Sequence, residues 1–321
     1  MIEFPLESDE QDLEARAGGT CMTLCIAAAC LDKKEPRIVT CTDWKSTTAL
    51  GSSDAFDKFK RLKPGWIALL AGKASRAKEM VAALVGVFKT EEVTSDNAVT
   101  LVKKAAAAHA RNLKEEYCAF RFGMDYDRFQ QWCREVNPAL AKPYVDELTQ
   151  LKWGASLLVA GFVTDDDGDR QPLILKMAQA SSEVTHEEHF GAIGEGMAVA
   201  VPPLLRREYD WEDTSLGKAI YYLYESKTLA EIIDSVGPST SIDVLYPNGD
   251  LKSVTKLGYD YYDDLLKRFG PKPKATGVKL KDEHLGPFED ESDSDVKAGD
   301  IKQRSLSRPS ASPKLKSKRQ S

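Results

Sequence analysis

The 321-residue sequence lacks several features that would assign it to a class at once. No stretch approaches the roughly 20 continuous apolar residues that a membrane-spanning helix needs, so we expect no membrane association. The first 20 residues are acidic and have no apolar core, so we expect no signal peptide and a cytoplasmic location. With a net charge of -6, the chain is not expected to bind nucleic acid.

Signatures of metal and cofactor chemistry are also scarce. The 6 cysteines include no Cys-x-x-Cys pair, and His186 and His189 do not form the His-Glu-x-x-His pattern of zinc peptidases. The sequence has no Gly-x-Ser-x-Gly elbow of a serine hydrolase. The glycines at 191, 194 and 196 lack the Lys-Ser/Thr that follows a phosphate-binding loop. We therefore predict no metal and no cofactor.

Composition divides the chain into three parts. Residues 1–22 are polar and acidic without strand or helix periodicity, and we interpret them as an N-terminal extension that is either untranslated or removed. Residues 23–268 carry the apolar content of a folded domain. Residues 269–321 are rich in Pro, Lys, Ser, Asp and Glu, and such a segment buries too little apolar surface to offset its ordering entropy. We predict that they form a disordered, charged tail.

Short apolar runs alternate with helical patterns inside the predicted domain. Residues 23–30 and 37–42 flank a turn-like segment and predict a β-hairpin. Apolar residues at helical spacing follow from residue 75, and residues of about 111–153 predict additional helical material. The order of strands, helices, strands, helices and strands predicts a layered α+β domain rather than a parallel βαβ sheet.

The most informative residues stand at the ends of the first predicted strands. The first strand opens with Met-Thr23-Leu-Cys, and the second closes with Thr-Asp43-Trp-Lys45. Lys58 follows in Asp-Lys-Phe, and Gly72 ends Leu-Ala-Gly. Much later the chain reads Asp234-Ser235-Val236-Gly237-Pro238.

In this order the motifs resemble the proteasome β-subunit family, and most of all its bacterial branch called Anbu. The resemblance covers about Thr23 to Asp264 and implies a four-layer αββα sandwich of the N-terminal-nucleophile (Ntn) hydrolase type. It also implies a threonine peptidase that forms a homo-oligomer and acts on peptides or proteins. The residues that the resemblance assigns to the site are Thr23, Asp43, Lys45, Lys58, Gly72, Asp234 and Ser235.

The mechanism implied by the family places nucleophile and base in one residue. The free α-amine of an N-terminal Thr23 takes the proton from its own hydroxyl, and its pKa of about 7.7 to 8.0 suits a general base. Lys58 stabilises negative charge and is paired with Asp43, which the family follows with Arg where this chain has Lys45. The Gly72 amide forms the oxyanion hole, and Asp234 and Ser235 support the nucleophile.

The identity of the nucleophile depends on the strand register. Side chains alternate along a strand, so lengthening a hairpin symmetrically adds an even number of residues. Thr23 and Cys21 share a parity relative to Asp43, whereas Thr20 does not, although Gly19-Thr20 resembles a self-cleaving junction. We rank Thr23 before Cys21 and Cys21 before Thr20.

Two other functions are compatible with these residues. One is an N-terminal-nucleophile amidase for a small substrate. The other is a catalytically silent, proteasome-like scaffold whose N-terminal extension is never removed. The state of the N-terminus separates the scaffold from the two enzymes.

Overall fold

The computed structural model describes residues 23–43, 46–48, 51–53, 58–136, 138–165, 167–178, 183–270 and 281–287. These residues lie in one compact unit that ends at Phe288. They form an α+β protein with one antiparallel sheet of 6 strands and another of 5, which confirms the predicted class. None of the helices in the described part of the chain is long and apolar enough to span a bilayer.

The first sheet carries both ends of the described chain. Its strands, in spatial order, are β10 (Phe190–Ile193), β1 (Cys25–Asp32), β2 (Glu35–Asp43), β11 (Thr240–Leu245), β12 (Leu251–Val254) and β13 (Leu285–Pro287). The second sheet consists of β5 (Phe59–Lys63), β6 (Trp66–Gly72), β7 (Ala155–Thr164), β8 (Arg170–Met177) and β9 (Val184–His186). A separate short hairpin joins β3 (Ser46–Thr48) and β4 (Gly51–Ser53).

The helices follow the strands in two groups. Four lie between the strands β6 and β7: α1 (Ala74–Thr90), α2 (Ala98–Phe122), α3 (Tyr126–Glu135) and α4 (Pro138–Thr149). The others are α5 (Met197–Arg206), α6 (Leu216–Ala230) and α7 (Lys256–Phe269), and a short 3-10 turn covers Asp282–His284.

The hairpin of β1 and β2 has a two-residue loop. Asp32 pairs with Glu35, and the intervening Lys33 and Lys34 have positive φ values of 52° and 72°. Two consecutive residues with positive φ are typical of the type I′ turn, whose twist matches that of the flanking strands. This tight turn fixes the register that places Leu24 beside Asp43 at the open end of the hairpin, where Asp43 N–H donates to Leu24 O at 3.2 Å.

Apolar residues occupy three layers between sheets and helices. Alternate residues of β1, such as Cys25 and Ala27, pack with β6 residues such as Leu69 in a cluster between the two sheets. The opposite face of β1, including Ile26 and Ala28, packs against α5, α6 and α7. The outer face of the second sheet packs against α1 and α2. Both faces of each sheet are covered, which explains why β1 reads as a continuous apolar run.

The predicted boundary at 268/269 differs from the structure. Leu285–Pro287 forms β13 and pairs with β12 in the first sheet, although the sequence placed these residues in the tail. His284 is buried, its carbonyl accepts a hydrogen bond from Thr255 N–H at 3.0 Å, and its ring stacks on Tyr261. The folded unit therefore extends well past α7. Residues 1–22 and 288–321 lie outside the described residues.

The helical segment predicted at about 111–153 corresponds to the second half of α2 and to α3 and α4. These helices enclose a small cluster of their own, built on Cys118, Phe129 and Leu148 and surrounded by partly buried aromatic residues. This satellite cluster is separate from the three layers that surround the sheets.

Candidate active site

A buried carboxylate at the end of β2 organises the candidate site. Asp43 Oδ1 accepts hydrogen bonds from Thr23 Oγ1 at 2.6 Å, Leu24 N–H at 2.7 Å and Lys58 Nζ at 2.8 Å. Its second oxygen, Oδ2, accepts from Gly237 N–H at 3.0 Å. The Asp43 side chain is fully buried, so these donors replace the water that would otherwise solvate its charge. Thr23, Asp43 and Lys58 thus form one connected polar cluster.

Three separate chain segments bring the cluster together. Thr23 lies just before β1, and the hairpin register carries its side chain to Asp43 on β2. Lys58 lies just before β5 in the second sheet, where its carbonyl accepts from Leu70 N–H at 2.9 Å. The site therefore sits where the ends of the two sheets face each other.

The pair of Asp43 and Lys58 is almost completely withdrawn from solvent, with side-chain exposures of 0% and 1%. Removing two ions from water costs several kcal/mol each, and their attraction compensates only when the remaining polar atoms are satisfied. The hydroxyl and backbone donors on Asp43 meet that condition. The arrangement keeps an ammonium and a carboxylate beside the Thr23 hydroxyl.

A glycine turn receives the carbonyl of Thr23. Gly194 has a φ of +94°, and a Cβ there would lie only 2.0 Å from Thr23 O. Gly196 N–H donates to the same oxygen at 3.4 Å. Only glycine has both the backbone freedom and the small size for such an approach. Gly194 and Gly237 were not among the predicted site residues, because their roles depend on a backbone conformation and an amide direction that the sequence does not specify.

Gly72 lies at the end of β6, close to the start of β1. Leu70, two residues earlier on β6, accepts a hydrogen bond from Cys25 Sγ at 3.2 Å. Gly72 has a φ of +103°, and a Cβ would stand 2.5 Å from Gly154 O. Any other residue would therefore strain the end of this strand, so the backbone here requires glycine.

Asp234 and Ser235 have different environments. Asp234 is exposed, whereas Ser235 is buried and its Oγ has no hydrogen-bond partner among the described residues. The contact of this segment with the cluster runs through Gly237, whose amide bonds Asp43. Lys45, Thr20, Cys21 and Met22 lie outside the described residues.

Cys25 lies two residues after Thr23 and is a poor nucleophile. Burial raises the pKa of the Cys25 thiol to about 12, and the nearby Lys58 ammonium only partly opposes this effect. The thiol is therefore neutral at physiological pH, and it is the thiolate that attacks electrophiles. The Thr23 hydroxyl, in contrast, bonds the same Asp43 oxygen that accepts from the Lys58 ammonium.

Comparisons with protein-family models and with curated proteins found no match to this chain. In the part of the chain that the structure describes, no group of three or more His, Cys, Asp or Glu residues could hold a metal ion.

Proposed function

We propose that this protein is an N-terminal-nucleophile hydrolase of the proteasome β-subunit type, acting as a threonine peptidase through Thr23. The single observation that carries the proposal is the buried cluster in which the Thr23 hydroxyl and the Lys58 ammonium both bond Asp43 Oδ1. A hydroxyl just before the first strand, a cation and a carboxylate are groups that this chemistry requires together with a free α-amine.

The arrangement of layers supports the finer fold assignment. Helices α1 and α2 cover the second sheet, the two sheets pack face to face, and helices α5 to α7 cover the first sheet. This order is consistent with a four-layer αββα sandwich of the Ntn-hydrolase type. The hairpin that starts with the nucleophile also lies in the centre of its sheet, between β10 and β11.

In the proposed reaction the Thr23 oxygen attacks the carbonyl carbon of a peptide bond while the free Thr23 amine takes the hydroxyl proton. The amine then gives that proton to the leaving nitrogen as the C–N bond breaks, which leaves an ester on Thr23. Water hydrolyses the ester and restores the hydroxyl. Lys58, fixed by Asp43, stabilises the developing negative charge, and the Gly72 amide donates to the tetrahedral oxyanion.

The amine must be free for this chemistry, because an amide nitrogen has a delocalised lone pair and cannot act as a base. Translation from Met22 followed by removal of that Met, or processing of a longer precursor, would release it. A homo-oligomeric assembly and a peptide or protein substrate belong to the same proposal.

The test compares three proteins. A protein that begins at Met22 and loses that Met, called here the Thr23-first protein, should hydrolyse peptide amides. Its Thr23→Ala variant and the chain that retains residues 1–22 should not. Intact-mass measurement establishes which N-terminus each preparation carries. Activity in protein that retains residues 1–22 would show that Thr23 is not the nucleophile.

A catalytically silent scaffold is the second candidate, and the observation in its favour is the stretch of 22 residues that precedes Thr23 in the sequence. While that stretch is attached, the Thr23 nitrogen belongs to a peptide bond. The scaffold predicts that native protein keeps residues 1–22 and that the Thr23-first protein is inactive as well.

A further inference from the structure

Lys227 is a buried lysine that the reaction proposed above does not use. It lies in the last turn of α6, and its side chain is 0% exposed. Burying an ammonium costs free energy unless the charge is paired and its donors are satisfied. Lys227 Nζ donates to Glu231 Oε1 at 2.8 Å and to Pro238 O at 2.9 Å. The helix C-terminus favours a cation at the same place.

The carbonyl that Lys227 holds belongs to the residue after Gly237. Gly237 N–H donates to Asp43 Oδ2 at 3.0 Å, so one short piece of backbone is anchored by Lys227 on one side and bonds the catalytic carboxylate on the other. The Pro238 ring locks its own φ and removes one rotation between these two contacts. Only the φ and ψ of Gly237 and the ψ of Pro238 remain variable between these two contacts.

The Gly237 amide defines how the Asp43 carboxylate is turned. Asp43 Oδ1 faces Thr23 and Lys58, while the Gly237 donor engages Oδ2. Without that donor only the three bonds to Oδ1 orient the carboxylate, and its rotation about the terminal bond is less restrained. Misplacement of reacting groups by about 1 Å can cost roughly 100-fold in rate.

We infer that Lys227 is a positioning residue of the candidate active site: by holding the Pro238 carbonyl it keeps the Gly237 amide on Asp43 Oδ2. This inference rests on the proposed function where it concerns catalysis, whereas its structural part concerns only the Gly237 amide.

The test substitutes Lys227→Met, which keeps the length of the side chain and removes the donor. Hydrogen exchange resolved at Gly237, measured on the full chain, should become at least about 10-fold faster because the amide loses its fixed partner. In the Thr23-first protein, kcat for a peptide amide should fall by about 10- to 100-fold while KM stays within about 2-fold. If the Met variant does not fold, Lys227→Gln is examined by the same two measurements.

Two controls separate positioning from a general loss of stability. Lys218→Met makes the same substitution at a half-buried lysine on α6, and it should change neither measurement. Glu231→Gln leaves an acceptor for Lys227 and keeps its bond to Pro238 O, so kcat should remain near that of the unsubstituted protein.

The inference is overturned if Gly237 exchange is unchanged in Lys227→Met, or if exchange rises while kcat does not fall. An inactive Thr23-first protein would instead reject the proposed function. In that case Gly237 exchange alone decides whether Lys227 holds this segment.

Discussion

At the scale of single residues, Asp43 is the group on which the other contacts depend. Its Oδ1 atom accepts from a hydroxyl, a backbone amide and an ammonium within 2.6 to 2.8 Å. Removing one partner from a buried pair leaves the other charge uncompensated, whereas removing both charges avoids that penalty. Stability and activity should therefore respond differently to single and double substitution.

We predict that Lys58→Met lowers the free energy of unfolding by about 3–5 kcal/mol, because it leaves the Asp43 carboxylate buried without its cation. The double variant Asp43→Asn/Lys58→Met should recover part of this loss. Both variants of the Thr23-first protein should lose activity by at least about 100-fold, since neither retains the paired lysine. Chemical denaturation and peptide hydrolysis measure the two effects.

Lys60→Met provides the matched control, because Lys60 is a half-buried lysine two residues after Lys58, on β5. It should leave activity within about 2-fold of the unsubstituted protein. Normal peptide hydrolysis by Lys58→Met would remove Lys58 from the proposed mechanism.

The buried thiol of Cys25 gives a second prediction at this scale. Its pKa of about 12 and its complete burial should protect it from iodoacetamide at pH 8 in the native protein. Cys133 is half-buried and should be alkylated much faster. Peptide mass spectrometry after timed labelling compares the two. Equal labelling of Cys25 and Cys133 would contradict a closed environment around the start of β1.

The order of motifs that resembles the proteasome β-subunit family predicted that Thr23, Asp43 and Lys58 share one site, and the structure brings the three side chains together. Gly194, Gly237 and Lys227 were not predictable in the same way. Gly194 contributes a positive φ angle, Gly237 an amide that points at Asp43, and Lys227 a bond to the Pro238 carbonyl. Each of these depends on contacts between segments that are distant in the sequence. Asp234 and Ser235 directed attention to the correct segment, but it is the Gly237 amide that bonds Asp43.

At the scale of elements, an ion pair links the end of α5 to α6. Arg207 follows α5 and pairs with Glu225 on α6, and the side chains are 4% and 1% exposed. The Arg207 guanidinium also lies 4.2 Å from the centre of the Tyr222 ring. Burial raises the pKa of Glu225 to about 7, although Arg207 acts in the opposite direction. This carboxyl therefore binds a proton more tightly in the folded protein than in the unfolded chain.

A raised carboxyl pKa gives a definite sign for the dependence of stability on pH. The contribution of Glu225 protonation to stability is complete below its ordinary pKa of about 4.5 and is lost as the pH rises to about 7. We predict that the melting temperature of the unsubstituted protein minus that of Glu225→Gln becomes smaller as the pH rises from 5 to 8. A difference that stays constant or rises over this range would contradict the raised pKa.

Predictions of elements were most successful where the apolar pattern was long. The first hairpin and the helices after β6 were predicted from such patterns, and the structure has them. β13 was missed because it contains only three residues, Leu285–Pro287, including a Gly and a Pro that disfavour strands. Its position depends on pairing with β12 and on the buried His284, neither of which has a local sequence signal.

At the scale of the whole molecule, the extent of the folded unit is the property that the sequence placed incorrectly. Composition put the end of the domain at residue 268, yet the chain returns after α7 to close the edge of the first sheet with β13. An edge strand blocks unpaired backbone groups of its neighbour, here β12. The limits of the domain therefore have consequences for both stability and association.

We predict that a protein ending at Asp290 melts within about 1 °C of the full-length chain, because the compact unit ends at Phe288.

A protein ending at Gly270 should melt about 4–8 °C lower, which corresponds to about 2 kcal/mol for a domain of this size. It loses the pairing of β13 with β12, the 3.0 Å bond from Thr255 N–H to His284 O and the stacking of His284 on Tyr261. It also leaves β12 as an unpaired edge, so it should aggregate more readily in light scattering at equal concentration. Calorimetry of the three proteins decides between the boundaries: equal melting temperatures for the proteins ending at Gly270 and Asp290 would restore the end of the domain to residue 268.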